Sequence, residues 1–293
     1  MNYLDKLRES AKTNNSIVCM GLDPVVEAMP EQFKGIREFN LYLGQLFHEM
    51  KEQGVLPGAF KPNQGFYLKH DRPRRTRDFS GSVGLSLVMN MIEEIFPGTP
   101  IILDYKRGDI AKSSANYGIE GFDVWEADAV TVSPYMGTDS VMPFGEYCNE
   151  EQGKGVYVLD RTSNKGARDF QNLMSQDLPL YKHVASKIVE WAADHPGIGA
   201  VVGATSPEEL SDLAEFFTGK DIPLLIPGVG SQGGSAEEVS SRLRDVGYGL
   251  SIIRINSSSG LTHPWKKPPA PEDFAKVCVA ELHKLNEQIG YTP

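Results

Sequence analysis

Eight short apolar runs recur along the chain, each followed by a longer stretch with helical periodicity. The runs are Ile17–Leu22, Ala59–Lys61, Pro100–Asp104, Ala129–Ser133, Gly155–Leu159, Ala200–Gly203, Pro223–Pro227 and Leu250–Asn256. Several are apolar at both odd and even positions, the pattern of parallel strands covered on both faces. Between them, Phe39–Gln53 aligns Phe39, Leu43, Leu46, Phe47 and Met50 on one helical face. Val83–Phe96, Tyr181–Ala193, Pro207–Phe217 and Ala236–Asp245 behave alike. Ser206 ahead of Pro207-Glu208-Glu209 predicts an N-cap, a proline at the first helical position and acids against the helix dipole. Eight β–α units in series predict an α/β fold, a closed (β/α)8 TIM barrel. Met1–Ala11 and Pro271–Ile289 read as extra N- and C-terminal helices outside the repeat. An open doubly wound sheet would show the same alternation, because strand order is not written in the sequence.

No low-complexity linker divides the 293 residues, and a barrel commonly uses this length as one domain, here 1–293. The net charge of −10 argues against a nucleic-acid partner held by bulk electrostatics, while a small anionic ligand stays open. Cys19, Cys148 and Cys278 are scattered and odd in number, so neither a disulfide framework nor a zinc site is predicted. The N-terminus has no apolar signal region and no run is long enough to span a membrane. A cytoplasmic protein with reduced thiols is expected.

In a barrel the C-terminal ends of the strands carry the chemistry. Polar clusters do follow the apolar runs: Asp23, Lys61-Pro62-Asn63, Asp104 to Asp109, Ser133, Arg161 to Asn164, Gly228–Gly234 and Asn256–Gly260. Ile101-Ile102-Leu103 runs directly into Asp104, Lys106 and Asp109. Asp104 and Lys106 are two apart, so an extended backbone projects both from one face. An ion pair tying down a loop would account for them. Charges at the end of a buried strand are costly unless paired or used, however, and Lys61 stands at the matching point of the second run.

These stretches resemble the orotidine 5′-phosphate decarboxylase family. Leu103-Asp104-Tyr105-Lys106-Arg107-Gly108-Asp109-Ile110 is similar to its catalytic motif, in the form found in the longer bacterial branch, group II. Gly21-Leu22-Asp23-Pro24, Phe60-Lys61-Pro62-Asn63, Arg161-Thr162-Ser163-Asn164 and Pro227–Gly234 match in the family's order. The resemblance implies cofactor-free decarboxylation of orotidine 5′-monophosphate to uridine 5′-monophosphate in pyrimidine biosynthesis. It implies a network of Lys61, Asp104, Lys106 and Asp109, with Lys106 protonating C6 and Asp104 near the substrate carboxylate. Asp109 would reach the neighbouring subunit's site, which implies a homodimer. Chemically, a carbanion in a dry site needs a fixed cation that can also give a proton, and flanking carboxylates favour the charged lysine. No metal or organic cofactor is called for.

By the same resemblance Asp23 would bind ribose hydroxyls, although an Asx-type turn before Pro24 also suits it. Ser113 would contact the ribose in the adjacent subunit; it could equally cap a helix over Ser114–Glu126. Ser163 would bind the pyrimidine, or simply turn the chain before Asn164-Lys165-Gly166. Gly230 and Gly233 would let backbone N–H groups close on phosphate, with the N-terminus of Ala236–Asp245 behind them and Gln232 bridging phosphate and base.

One departure stands out. Ser259, in Asn256-Ser257-Ser258-Ser259-Gly260, occupies the place where the family carries a phosphate-binding arginine. Serine cannot supply that charge. Arg254, Lys266 and Lys267 are the candidate substitutes, or backbone N–H groups alone hold the phosphate. Lys69, Arg72, Arg74, Arg75 and Arg77 cluster in Leu68–Gly81, either as a solvated basic loop or as a flap attracting an anionic nucleotide. His70, His183, His195, His263 and His283 lack metal-ligand spacing. Two other functions would use the same residues: a sugar-phosphate lyase or aldolase, and a non-catalytic nucleotide-binding protein. Lys106, flanked by two acids, is poorly suited to form a Schiff base.

Overall fold

The computed structural model describes residues 1–230 and 233–293. Eight parallel strands follow one another around a barrel: β1 Val18–Gly21, β2 Ala59–Lys61, β3 Ile102–Arg107, β4 Ala129–Val132, β5 Gly155–Arg161, β6 Ile198–Val202, β7 Leu224–Ile226 and β8 Ile253–Ser257. Hydrogen bonding runs β2-β1-β8-β7-β6-β5-β4-β3. The ends close through parallel bridges Phe60 to Ile101 and Asn63 to Asp104, with Asp104 N donating to Pro62 O at 3.0 Å. Closure settles the barrel against the open sheet. It also brings the tips of β2 and β3 together, where Lys61 and Asp104 lie.

The helices are α1 Tyr3–Asn14, α2 Ile36–Gln53, α3 Gln64–Leu68, α4 Ser80–Ile95, α5 Ala111–Ile119, α6 Thr138–Gly145, α7 Leu180–Asp194, α8 Pro207–Phe217, α9 Ala236–Asp245, α10 Ser259–Thr262 and α11 Phe274–Ile289. Strands β1, β2, β4, β6 and β7 are buried throughout, as their two-sided apolar pattern requires. On α2 the predicted face of Phe39, Leu43, Leu46, Phe47 and Met50 is fully buried. An added antiparallel hairpin pairs Met174 with Pro179 and Ser175 with Leu178 after β5.

Four expectations are corrected. The last strand begins at Ile253, because Leu250–Ile252 forms a 3-10 turn that leads into it. Ser206 does occupy the cap position of α8 but makes no capping bond; its hydroxyl instead accepts from Arg161 Nη2 at 3.2 Å. Ser113 is no N-cap, since α5 starts at Ala111 with Ile110 at its cap, and a π-helical turn Glu120–Val124 replaces the helix's expected end. Arg254 does not face the ligand side. It lies near the start of β8, opposite Leu225, fully buried on the barrel floor. There Nε donates to Gly58 O at 2.9 Å, Nη2 to Leu7 O at 2.7 Å, and Nη1 to Ser251 O and Ile253 O. Among the described residues no helix is long and apolar enough to cross a membrane.

Candidate active site

The third strand changes character at its tip. Up to Leu103 it pairs regularly with β4, but the next paired residue is Arg107, opposite Val132, so Asp104 to Arg107 bulge out of register. Lys106 sits in the bulge with φ +45°, a conformation that a side chain bearing Cβ seldom takes. Its amide, turned away from the ladder, donates to Thr131 Oγ1 at 3.0 Å. The Thr131 hydroxyl in turn donates to Asp104 Oδ1 at 2.9 Å. Thr131 was missed in the sequence; its one signal is a lone hydroxyl within an otherwise apolar strand, Ala129-Val130-Thr131-Val132.

Asp104 is the hub. Lys61 Nζ donates to Oδ2 at 2.9 Å and Lys106 Nζ to Oδ1 at 2.5 Å, and Asn63 Nδ2 approaches Oδ2 at 3.4 Å. Burial pushes the Asp104 carboxyl up, but the two ammonium groups outweigh it and hold it well below the usual carboxylate range. Burial pulls Lys61 down in the same way, yet Asp104 and Asp23 more than reverse it, and Lys61 stays charged above the ordinary lysine range. The two lysines differ in exposure. The Lys61 and Asp104 side chains are 6 and 7% exposed, whereas Lys106 is 48% exposed. Lys106 therefore presents an ammonium to the mouth above a sealed ion pair.

The remaining predicted residues surround this row unequally. Asp23 follows β1, half-buried, close enough to bias Lys61, and its Oδ1 is buried without a hydrogen-bond partner among the described residues. Gly21 is required where β1 meets the tip of β8, because a Cβ there would lie 1.9 Å from Ser258 Oγ. Gly203 performs the same service between β6 and β5: an added Cβ would stand 2.7 Å from the Ser163 backbone. Ser163 is thereby fixed at the rim, with Thr205 Oγ1 donating to its carbonyl at 2.9 Å. Asp109 is half-buried and its carboxylate accepts from Ile110 N at 2.8 Å; it makes no ion pair with Lys106 among the described residues. Ser113 is exposed on α5, and Ser259 opens α10 half-buried.

The glycine loop departs from its expected use. Gly230 N donates to Gly234 O, Gly233 N to Gly230 O and Gly234 N to Gly228 O, so these three amides are spent closing the loop on itself. The N-terminus of α9 is likewise occupied: Ser235 caps it through Glu238 N, and Glu237 and Glu238 fill the first turn. Gln232 lies outside the described residues. Two arginines of the predicted motifs brace the scaffold. Arg107 forms a fork to Glu120 at 2.7 and 3.0 Å and bonds Gln64 Oε1, while Arg161 pairs with Glu209 at 2.6 Å. His263 is buried beside Asp23 with Nδ1 2.9 Å from Thr262 Oγ1, and burial lowers its pKa. The three cysteines are buried free thiols, and burial pushes Cys19 and Cys278 up to about 12. Among the described residues no cluster of three His, Cys, Asp or Glu is arranged to hold a metal ion.

The model of the orotidine 5′-phosphate decarboxylase / HUMPS family matches residues 77–250. This chain belongs to that family. It is 35% identical over 293 residues to the orotidine 5′-phosphate decarboxylase of Ralstonia pickettii, covering 98% of this chain and 99% of that protein. The enzyme of the same name from Cellvibrio japonicus is 33% identical over 298 residues, 99% of this chain and 98% of that one. Among solved structures, Leishmania donovani OMP decarboxylase matches with a TM-score of 0.74 at 31% identity, covering 98% of this chain and 99% of that one. The chain also matches Leishmania donovani UMP synthase with a TM-score of 0.75 at 32% identity, and spans 57% of its length. β3 with its bulge falls inside the matched segment.

Proposed function

We infer that the chain decarboxylates orotidine 5′-monophosphate to uridine 5′-monophosphate. The observation that carries this is the row Lys61–Asp104–Lys106, two ammonium groups held by one buried carboxylate with only Lys106 open to the mouth. The C6 carboxylate leaves as carbon dioxide, and the bond's electron pair stays on C6. An ammonium fixed beside that atom stabilises the pair as it forms and then gives its proton to C6. Lys106 is regenerated by a proton from solvent. Asp104, committed to both lysines and to Thr131, serves as the anchor that keeps Lys106 in place without reorganisation. The unpartnered Oδ1 of Asp23 suits a ribose hydroxyl, and Ser163, at the rim after β5, is assigned to the base. Ser113 and Asp109 act across the interface of a homodimer. That reading is supported by exposed apolar residues in the loops after β3 and β4: Ile110 at 52%, beside Asp109, and Tyr135 at 84%. A Schiff-base reaction is disfavoured, because Lys106 is held in an ion pair with Asp104 at 2.5 Å and not in the apolar pocket that such a lysine uses.

The reaction needs no cofactor on this reading. Chelator-treated protein should therefore consume the orotate absorbance of orotidine 5′-monophosphate at an undiminished rate. Lys106→Ala should lower turnover by roughly 10³–10⁴-fold or more while binding of uridine 5′-monophosphate remains measurable. Absence of turnover, or turnover that depends on added metal, would overturn the proposal. Near-normal turnover by Lys106→Ala would remove the proton-donor assignment.

A further inference from the structure

The described site is short of positive charge for a ligand of this class. Lys61 and Lys106 both answer to Asp104. The tips of β7 and β8, where barrels commonly seat phosphate, offer Ser257, Ser258 and Ser259; the cations Lys266 and Lys267 come only farther along the loop after β8, on exposed positions. Arg254 is committed to four carbonyls on the floor. The protein as a whole is acidic, at −10.

One rim segment has the opposite character. Residues 69–78, between α3 and α4, leave the C-terminal end of β2 and so stand on the ligand side of the barrel. They carry Lys69, Arg72, Arg74, Arg75 and Arg77, all exposed. The two carboxylates of the segment are used as braces. Asp71 accepts from Gly81 N, Ser82 N and Ser82 Oγ, and Asp78 accepts from Ser80 N. Arg72 N donates to Asp78 O, which draws the segment into a closed loop whose tip is Arg74, Arg75 and Arg77. These three make no ion pair among the described residues. At the base, Lys69 Nζ reaches Pro24 O at 3.5 Å, which sets the loop against the turn that bears Asp23. The loop is thus pinned beside the mouth by Lys69 and by Arg72, whose Nη1 donates to Lys69 O and Asp71 O, with the charges of Arg74, Arg75 and Arg77 uncommitted.

We propose that this loop is the cationic element of phosphate recognition: the field of Arg74, Arg75 and Arg77 draws the 5′-phosphate dianion to the mouth, in place of a fixed arginine at the tip of β8. This inference rests on the nucleotide reading above. Exposed charges act over about a Debye length, roughly 8–10 Å at ordinary ionic strength, so the contribution is salt-dependent. The test is the triple variant Arg74→Gln, Arg75→Gln, Arg77→Gln. Its residues are exposed and outside the ion-pair row, so folding and kcat should be kept. At low salt kcat/KM should fall by about tenfold, within the range for electrostatic steering, and the difference should shrink as salt rises. Uridine 5′-monophosphate should bind more weakly, and uridine equally well. Adding Ser259→Arg to the triple variant should recover much of the nucleotide affinity. An unchanged kcat/KM and salt slope, or equal weakening of nucleotide and nucleoside, would overturn the proposal. Were the unaltered protein to show no decarboxylation, the reading of the site would fail, and the nucleotide-against-nucleoside comparison would still decide the loop.

Discussion

At the scale of single residues, the two buried aspartates have opposite fates. Asp104 is held below the carboxylate range by two lysines, so its contribution to stability is present above that range and lost as pH falls through its lowered value. Asp160, on β5, is 2% exposed and neither carboxylate oxygen finds a hydrogen-bond partner among the described residues. Burial raises it well above the usual value, and the charge of Arg161 offsets this only in part. Its folded pKa exceeds its unfolded one, so stability is full at acid pH and declines as pH rises toward the folded value. Asp160→Leu should therefore raise the melting temperature at neutral and alkaline pH, by an amount corresponding to about 1–3 kcal/mol, with the gain shrinking toward acid pH. Melting curves of both proteins across pH check this; parallel pH dependence would show that Asp160 is paired. The row Lys61–Asp104–Lys106 was legible as charges following apolar runs, and the structure brings the three together. Thr131 and Asp160 were not legible, since a single polar residue in a strand gives no sign of whether it faces the barrel axis or the helices.

At the scale of elements, periodicity located α8 and α9 to the residue and each barrel strand to within a few positions. It failed where hydrogen bonding, not burial, decides a boundary. The 3-10 turn before β8, the bulge in β3 and the π-helical turn Glu120–Val124 all keep the apolar pattern while changing the backbone. Arg254 shows the cost of a misplaced boundary. Read as part of a longer strand it could be assigned to the ligand side; in the structure it joins α1, the approach to β2, and β8 from below. Arg254→Met should cost roughly 3–5 kcal/mol, as expected for breaking a buried charged network, because the carbonyls of Leu7 and Gly58 lose their donor. KM for orotidine 5′-monophosphate should be unchanged. A raised KM with intact stability, measured by denaturation and steady-state kinetics, would instead return Arg254 to the phosphate.

At the scale of the whole molecule, the barrel's order was foreshadowed by eight repeats, but assembly leaves no comparable trace in one chain. Asp109 tests it directly. The loops after β3 and β4 touch at their bases through Ser133 N and Arg107 O at 2.7 Å, and they carry half-buried Asp109 and exposed Ile110, Tyr135 and Met136. A two-fold interface there would cover apolar surface and carry each Asp109 toward the other subunit's Lys106. We propose this arrangement. The solution mass should then be twice the 32.3 kDa of the chain. Lys106→Ala and Asp109→Ala should each inactivate the homodimer. A mixed dimer of the two variants, however, contains one site with Lys106 from one chain and Asp109 from the other, both intact. Dissociating and reassociating equal amounts should restore activity in roughly one site in four, since half the dimers are mixed and each has one whole site. A monomer in solution, or no recovery on mixing, would place Asp109 in its own subunit's site and leave the exposed edge without this role.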